Sequence, residues 1–233
     1  MPLITYQPLR QHDGSVYEDV AAHCTRPNRG DGRYTDAHET SHFVSSEIRN
    51  KHAGKNNAFY ILKDRAYVVD HPPITIRDIG RYVPSSLRGM RYDLYFVQQL
   101  RYWNEEPLYI AEELNCYTMG GSCALDDREA GRSLERTDAV AGALEFSVYT
   151  AALVMCVEQQ AKAYWDANAD FHEAMKYLIR QGLLTYYAGR DQSEWQSQIS
   201  ERFWTAYSAT SDGQRFQAYI RSYVDAGGDV LCQ

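Results

Sequence analysis

Basic residues are in the minority in this 233-residue chain: 24 Lys and Arg stand against 31 Asp and Glu, a net charge of −7. There is no basic stripe and no arginine-rich helix to neutralise phosphates, so no nucleic-acid partner is expected. Long apolar runs are also scarce. Mean hydropathy is −0.54, and no run approaches the roughly 18 apolar residues of a membrane span, so none is expected. The N-terminal Met1-Pro2-Leu3-Ile4-Thr5-Tyr6 lacks a basic region followed by an apolar one. No signal peptide is therefore expected, which points to the cytoplasm unless a leader has been removed. Five cysteines are an odd number and include no C-x-x-C. Cys116 and Cys123 are close enough in sequence to bridge, but unpaired buried thiols are the expectation. The loop Pro27-Asn28-Arg29-Gly30-Asp31-Gly32 has no G-x-G-x-x-G form and no lysine after it, so it is not read as a phosphate cradle.

What the chain does contain is His38-Glu39-Thr40-Ser41-His42, an H-E-x-x-H pattern. On a helix, residues four apart share a face, so His38 and His42 can aim their imidazoles at one point. That is what two of the three protein ligands of a catalytic zinc require. Glu39, beside His38, is placed to take a proton from a water that zinc acidifies. The spacing predicts a helix from Thr35 to Ala53, capped by Thr35 or Asp36, stopped by Gly54, and buried through Phe43, Val44 and Ile48. Asp36 and Glu39 also have capping-box spacing, which would tie Glu39 to the backbone if Asp36 were the cap.

A third ligand is needed. The residues after His42 have neither the Gly nor the His of a metzincin, and no Gly-Thr-x-Asp of an aspzincin follows. The segment Pro107 to Gly120 reads as a helix begun by Pro107 and ended by Gly120-Gly121. Its Glu113-x-x-x-Tyr117 element resembles the second helix of small gluzincin-type metallopeptidases. Over residues 34 to 121 the chain thus resembles a zincin of the gluzincin group. The resemblance implies one zinc per chain held by His38, His42 and Glu113, with Glu39 as general base. It also implies that Tyr117 could orient a zinc-bound histidine through a hydrogen bond. Glu112 is the rival to Glu113, and helical phase favours Glu113, which shares a face with Tyr109, Cys116 and Tyr117.

The remaining chain sets the expected fold. A short helix is read at Tyr17 to His23, with His12 and His23 as ordinary polar histidines. Two runs, 57 to 62 and 66 to 70, flank a short polar loop and read as a β-hairpin whose edge could accept an extended peptide. His71 could stabilise an oxyanion or simply end the hairpin. Residues 74 to 82 and 92 to 103 carry helical spacing, the second with a buried stripe at Leu94, Val97, Leu100 and Trp103. Arg88, Arg91 and Arg101 are candidates for anion contacts. The 19 tyrosines line a polar cleft or serve core and surface. Helices are expected over residues 137–165, 171–181, 193–207 and 213–224, with Ala139 to Val157 central and buried. The expectation is a mainly α fold with a small β-hairpin or sheet (α+β). One compact unit, 1–233, would comprise a zincin-like metal-site half, 1–130, packed on a helical half, 131–233. The function read from the sequence is a zinc metallopeptidase acting on a peptide or protein substrate. The alternative is a non-catalytic helical binding module whose structural or degenerate zinc site is closed by Cys116 or His71.

Overall fold

The alternating aromatic and β-branched residues between 57 and 69 do form strands. A computed structural model describes residues 3–52 and 57–225. Strands β1 (Leu3–Thr5), β2 (Asn57–Tyr60) and β3 (Arg65–Val69) make an antiparallel sheet of order β1-β3-β2. Phe59 lies opposite Tyr67, and Ile4 opposite Ala66. Side chains alternate across a sheet, and here both faces are covered. Ala58, Tyr60, Ala66 and Val68 pack in a cluster with Val44 and Ile48, while Phe59, Tyr67 and Val69 join the main core. The outer edge of β2 is partly used as well, because Asn115 Nδ2 donates to Tyr60 O at 2.9 Å.

The rest is helical, which gives a mainly α protein with a small sheet. Helices α1 (Val16–Ala22) and α2 (Arg33–Lys51) lead to α3 (Ile76–Gly80), then to α4 (Met90–Tyr92) and α5 (Leu100–Trp103), which flank a π-helical segment, Asp93–Gln98. The long helices α6 (Tyr109–Glu129) and α7 (Ala139–Gln160) follow, then α8 (Lys162–Ala167), α9 (Ala169–Gly189), α10 (Gln198–Ala209) and α11 (Ser211–Asp225). Helix α6 packs between α2 on one side and α7 and α9 on the other.

Helix α2 starts earlier than its sequence suggests. Gly32 is its N-cap. Asp36 lies inside the helix and accepts from the backbone N–H groups of Gly30 and Asp31 and from Asn28 Nδ2. The glycine loop thus folds onto Asp36, and Glu39 is not drawn into a capping box. The expected stop at Gly54 lies outside the described residues. Val44 and Ile48 are fully buried, but Phe43 is 48% exposed.

Helix α6 does not end at Gly120-Gly121. A Cβ on Gly120 would come 2.9 Å from the Tyr34 carbonyl, and one on Gly121 would come 2.6 Å from Thr185 Cγ2. The pair thins the helix where α2 and α9 cross it. The actual stop is Gly131, at φ 66°. Its N–H donates to Arg128 O and that of Arg132 to Asp127 O, the paired bonds of a Schellman motif.

Helix α7 is long and apolar enough to cross a bilayer, contrary to the expectation that no run would be. In the fold, 89% of its most apolar window is buried inside the protein. The stripe expected at Leu94, Val97, Leu100 and Trp103 holds only in part: Leu94, Leu100 and Trp103 pack half-buried against the main core, and Val97 does not. In the wider π turn Tyr95 and Phe96 point inward together, and Val97 is 60% exposed. His23 is fully buried. It lies 3.0 Å from Asp64 Oδ1 and, with Asp19 and Tyr60, braces the hairpin turn, where Leu62, Lys63 and Asp64 all have positive φ.

Candidate metal centre

Helix α2 carries His38 and His42 one turn apart, their ring centroids 5.1 Å from each other. Gly120 allows α6 to approach this part of α2, since a Cβ there would press on the Tyr34 carbonyl at 2.9 Å, one turn before His38, whose own Cβ it would touch at 3.6 Å. Two turns earlier on α6, Glu113 reaches between the rings. His42 Nε2 lies 3.4 Å from Glu113 Oε1, and His38 Nε2 lies 3.7 Å from Oε2. One ligand atom from each of the three residues falls within 4.8 Å of the others. In a tetrahedral site with zinc–ligand bonds near 2.1 Å, ligand atoms stand about 3.4 Å apart. The separation of His42 from Oε1 matches that value, and His38 meets the other oxygen of the same carboxylate at 3.7 Å.

The chemistry of the donors also fits a cation. Glu113 is 1% exposed, and its Oε2 is buried without a hydrogen-bond partner. A buried, unpartnered carboxylate oxygen facing an imidazole nitrogen is costly unless something positive sits between them. Burial, with His42 and Arg91 nearby, pushes the His38 pKa down to about 3, so its ring is neutral and offers a lone pair. For His42 burial alone would lower the pKa, but Cys116, Glu112 and Glu113 outweigh it and raise it well above the ordinary value. Burial raises Glu113, opposed by His42 and by hydrogen bonds from Tyr109 and Tyr95.

The surrounding residues fix these three. Glu112, the rival ligand, instead takes a hydrogen bond from His42 Nδ1 at 2.9 Å, which leaves Nε2 turned toward Glu113. A carboxylate on the far nitrogen sets a histidine's tautomer and ring orientation. Tyr117 does not play the expected hydrogen-bonding role. Its ring stands edge-on to His38, with centroids 4.5 Å apart, while its hydroxyl faces Arg91, whose guanidinium lies 4.7 Å over the same ring. Arg91 is thus not an anion site. It is buried and pairs with Glu145 at 2.9 Å and Asp138 at 2.6 Å.

On the open side of the three donors is a cavity of about 380 Å³. Glu39, Phe43, Arg49, Tyr95, Trp103 and Tyr109 line it together with the donors. Glu39 is half-buried on the same helix as the histidines. His71 is not among the lining residues and lies 3.4 Å from Glu106. No described residue of the sheet lines the cavity, so the hairpin edge does not face it. Cys116 stays outside the three-donor group and contacts His42; burial pushes its thiol up to about 12. Cys24, Cys123 and Cys156 are likewise buried and unpaired. No family model matches this chain, and neither a curated protein nor a solved structure matches it.

Three residues of this site escape the sequence reading. Tyr95 depends on the π turn, which has no clear local signal. Trp103 reaches the cavity as a partner of Tyr109, the two rings stacked 4.1 Å apart. Arg49 could have been found, since it follows His42 by seven residues and so falls on the same helix face.

Proposed function

We propose that this protein is a zinc-dependent metallopeptidase in which His38, His42 and Glu113 hold one zinc and Glu39 is the general base. The observation that carries the reading is the convergence of two imidazoles and a buried carboxylate beside a cavity that Glu39 also lines. Zinc in such a site would acidify water and polarise a scissile carbonyl. The Glu39 carboxylate accepts the proton of the attacking water and returns it to the leaving nitrogen. Glu112 holds His42 in the tautomer that presents Nε2. Tyr95 and Tyr109 hold Glu113 by hydrogen bonds to its carboxylate. Three protein donors and an open side suit catalysis, whereas a structural zinc is closed by a fourth protein ligand. Among the described residues, neither Cys116 nor His71 joins the donor group, so the closed-site alternative draws no support from the geometry.

Elemental analysis of protein purified without chelator tests the site. About one zinc per chain, lost in His42→Ala, is the expected result. Iron in its place would point to the oxygen chemistry that the same donor set supports. Cleavage of a peptide library by the wild type, abolished in a Glu39→Gln variant that retains zinc, is expected next. Undiminished cleavage in that variant would remove Glu39 from the mechanism.

A further inference from the structure

Among the lining residues that the proposed function leaves without a task, Arg49 is the charged one. Arg49 follows His38 by eleven residues and His42 by seven. At 3.6 residues per turn, both intervals are close to whole turns, so all three share a face. Among the described residues Arg49 is the one Lys or Arg that lines the cavity; the other ionisable lining groups are the two histidines, Tyr95 and Tyr109, and Glu39, Glu112 and Glu113. Its nearest acidic partner is Glu112 Oε2 at 3.6 Å, beyond hydrogen-bond reach. Glu112 uses its other oxygen on His42 Nδ1. The side chain is 34% exposed, so the guanidinium, though ion-paired with Glu112, keeps N–H donors for a further partner, and its fork matches a carboxylate in two parallel bonds. The opposite requirement, an apolar surface, is met next to it. Trp103 and Tyr109 stack with only 14° between their planes, and Phe43 stands 48% exposed at the rim. A chain carrying −7 overall repels anions, so an arginine in this cavity is a local exception to its own field.

We propose that Arg49 binds a carboxylate of the substrate, with a neighbouring aromatic or large apolar side chain of that substrate against Trp103 and Tyr109. This rests on the metallopeptidase reading and narrows it to peptides that present such a pair near the scissile bond. The carboxylate is either the chain-terminal one or an acidic side chain, and the chemistry at Arg49 is the same for both.

Calorimetry on the full chain separates these sources without needing turnover. The probes are N-acetylphenylalanine against its amide, and N-acetyl-Phe-Glu amide against N-acetyl-Phe-Gln amide. Each is titrated into wild type, R49Q and R49K, both metal-free and zinc-loaded. The acid should bind about tenfold more tightly than its neutral counterpart in at least one pair. Preference in the first pair assigns the terminal carboxylate, and in the second the side chain. R49Q should erase the preference in the metal-free protein, and R49K should retain part of it. No acid preference in either pair, or one that survives R49Q unchanged, overturns the proposal. A preference seen only with zinc and unaffected by R49Q would give the carboxylate to the metal, and overturns it equally. If the protein takes up no zinc, the metallopeptidase reading fails, while the metal-free titrations still decide the role of Arg49.

Discussion

Substituting Gly142 by alanine should disturb the proposed metal centre without touching any of its three donors. Gly142 sits on α7 where that helix passes Tyr117. A Cβ at position 142 would lie 2.6 Å from Tyr117 Cε1 and 2.7 Å from Cγ. Carbon atoms pack best at about 3.5–4.0 Å, so the ring must retreat by about 1 Å or the helices must part. The ring has no slack for this. It stacks on Phe146, with centroids 5.2 Å apart, lies under Arg91, and abuts His38. Overpacking of this kind costs about 1–3 kcal/mol. With three ring atoms in collision the upper end applies, and the helix propensity gained from Gly→Ala offsets about 1 kcal/mol of it. A net loss of about 2 kcal/mol is expected in denaturant melts run with chelator. The second effect is on the site. Metal ligands tolerate displacements of only about 0.5 Å. Pushing the Tyr117 ring into His38 should therefore weaken zinc binding by about 10- to 100-fold, the range seen when an orienting group is lost. Competition titrations against a chelator measure this, and the visible spectrum of the cobalt-substituted protein reports ligand geometry. The double variant Gly142→Ala/Tyr117→Leu removes the collision, so its losses should fall short of the sum of the single ones by about 0.5–3 kcal/mol. Equal zinc affinity in Gly142→Ala, or strict additivity in the double variant, would refute the claim that Tyr117 transmits packing to His38.

The Asp19–His23 pair gives stability a pH window. Burial opposes the charged form of His23, but hydrogen bonds and charge from Asp19 and a bond to Asp64 outweigh it and raise the pKa above 6.5. Burial likewise works against Asp19, but bonds from His23, Tyr60 and the Lys63 N–H lower it below 3.8. The His23 contribution is complete below the unfolded value and fades as pH rises through the raised folded value; the Asp19 contribution is complete above its unfolded value and fades as pH falls through the lowered one. Stability from this pair should be complete from about pH 4 to about 6.5 and fall away on both sides, and Asp19→Asn should flatten those flanks in melts run across and beyond that window; a profile unchanged by Asp19→Asn would contradict the coupling. Glu112→Gln keeps the shape of the side chain but removes the charge behind His42 Nδ1. Zinc affinity should drop by about tenfold or more, and an unchanged value in the chelator titration would mean that His42 is oriented by another group. Arg91→Leu takes the guanidinium from the buried Glu145 carboxylate, which keeps only the bonds from the Tyr149 hydroxyl at 2.7 Å and from the backbone N–H of position 91 at 2.9 Å. Denaturant melts should show a loss of about 3 kcal/mol, and a loss under about 1 kcal/mol would mean that Glu145 is satisfied without Arg91.

The local rules that worked in the sequence are those whose physics is local. His38 and His42 share a face because of the helix repeat alone, and Glu113 was chosen over Glu112 by phase on one helix. In the fold His38, His42 and Glu113 come together, and Glu112 stands against the other ring nitrogen of His42. The hairpin was legible from its alternating residues, although its turn was not. Three left-handed residues in a row, at φ 68°, 53° and 59°, are tolerable only because the buried Asp19–His23–Tyr60 group beneath them accepts and donates the needed hydrogen bonds. Nothing near position 63 in the sequence announces that support, which is why His23 reads as an ordinary polar residue until the fold brings it under the turn.

The two glycines at 120 and 121 show why the failures were of one kind. A glycine marks a helix end when its backbone takes positive φ, and it marks a helix crossing when the space beyond its Cα is occupied. Sequence alone cannot tell these cases apart, because both select for the same missing Cβ. At Gly131 the first reason applies, with φ 66°; at Gly120 and Gly121 the second does, with Tyr34 and Thr185 in the way of a side chain. The distinction bears on the site. Had α6 ended at Gly120, its last turn would have been free to fray beside Glu113. Instead the helix continues for more than two turns to Glu129, so Glu113 projects from the interior of a helix clamped between α2, α7 and α9. The carboxylate that completes the three-donor group is therefore held by packing rather than by a loop, and the rigidity a metal centre would need comes from the glycines that had looked like its boundary.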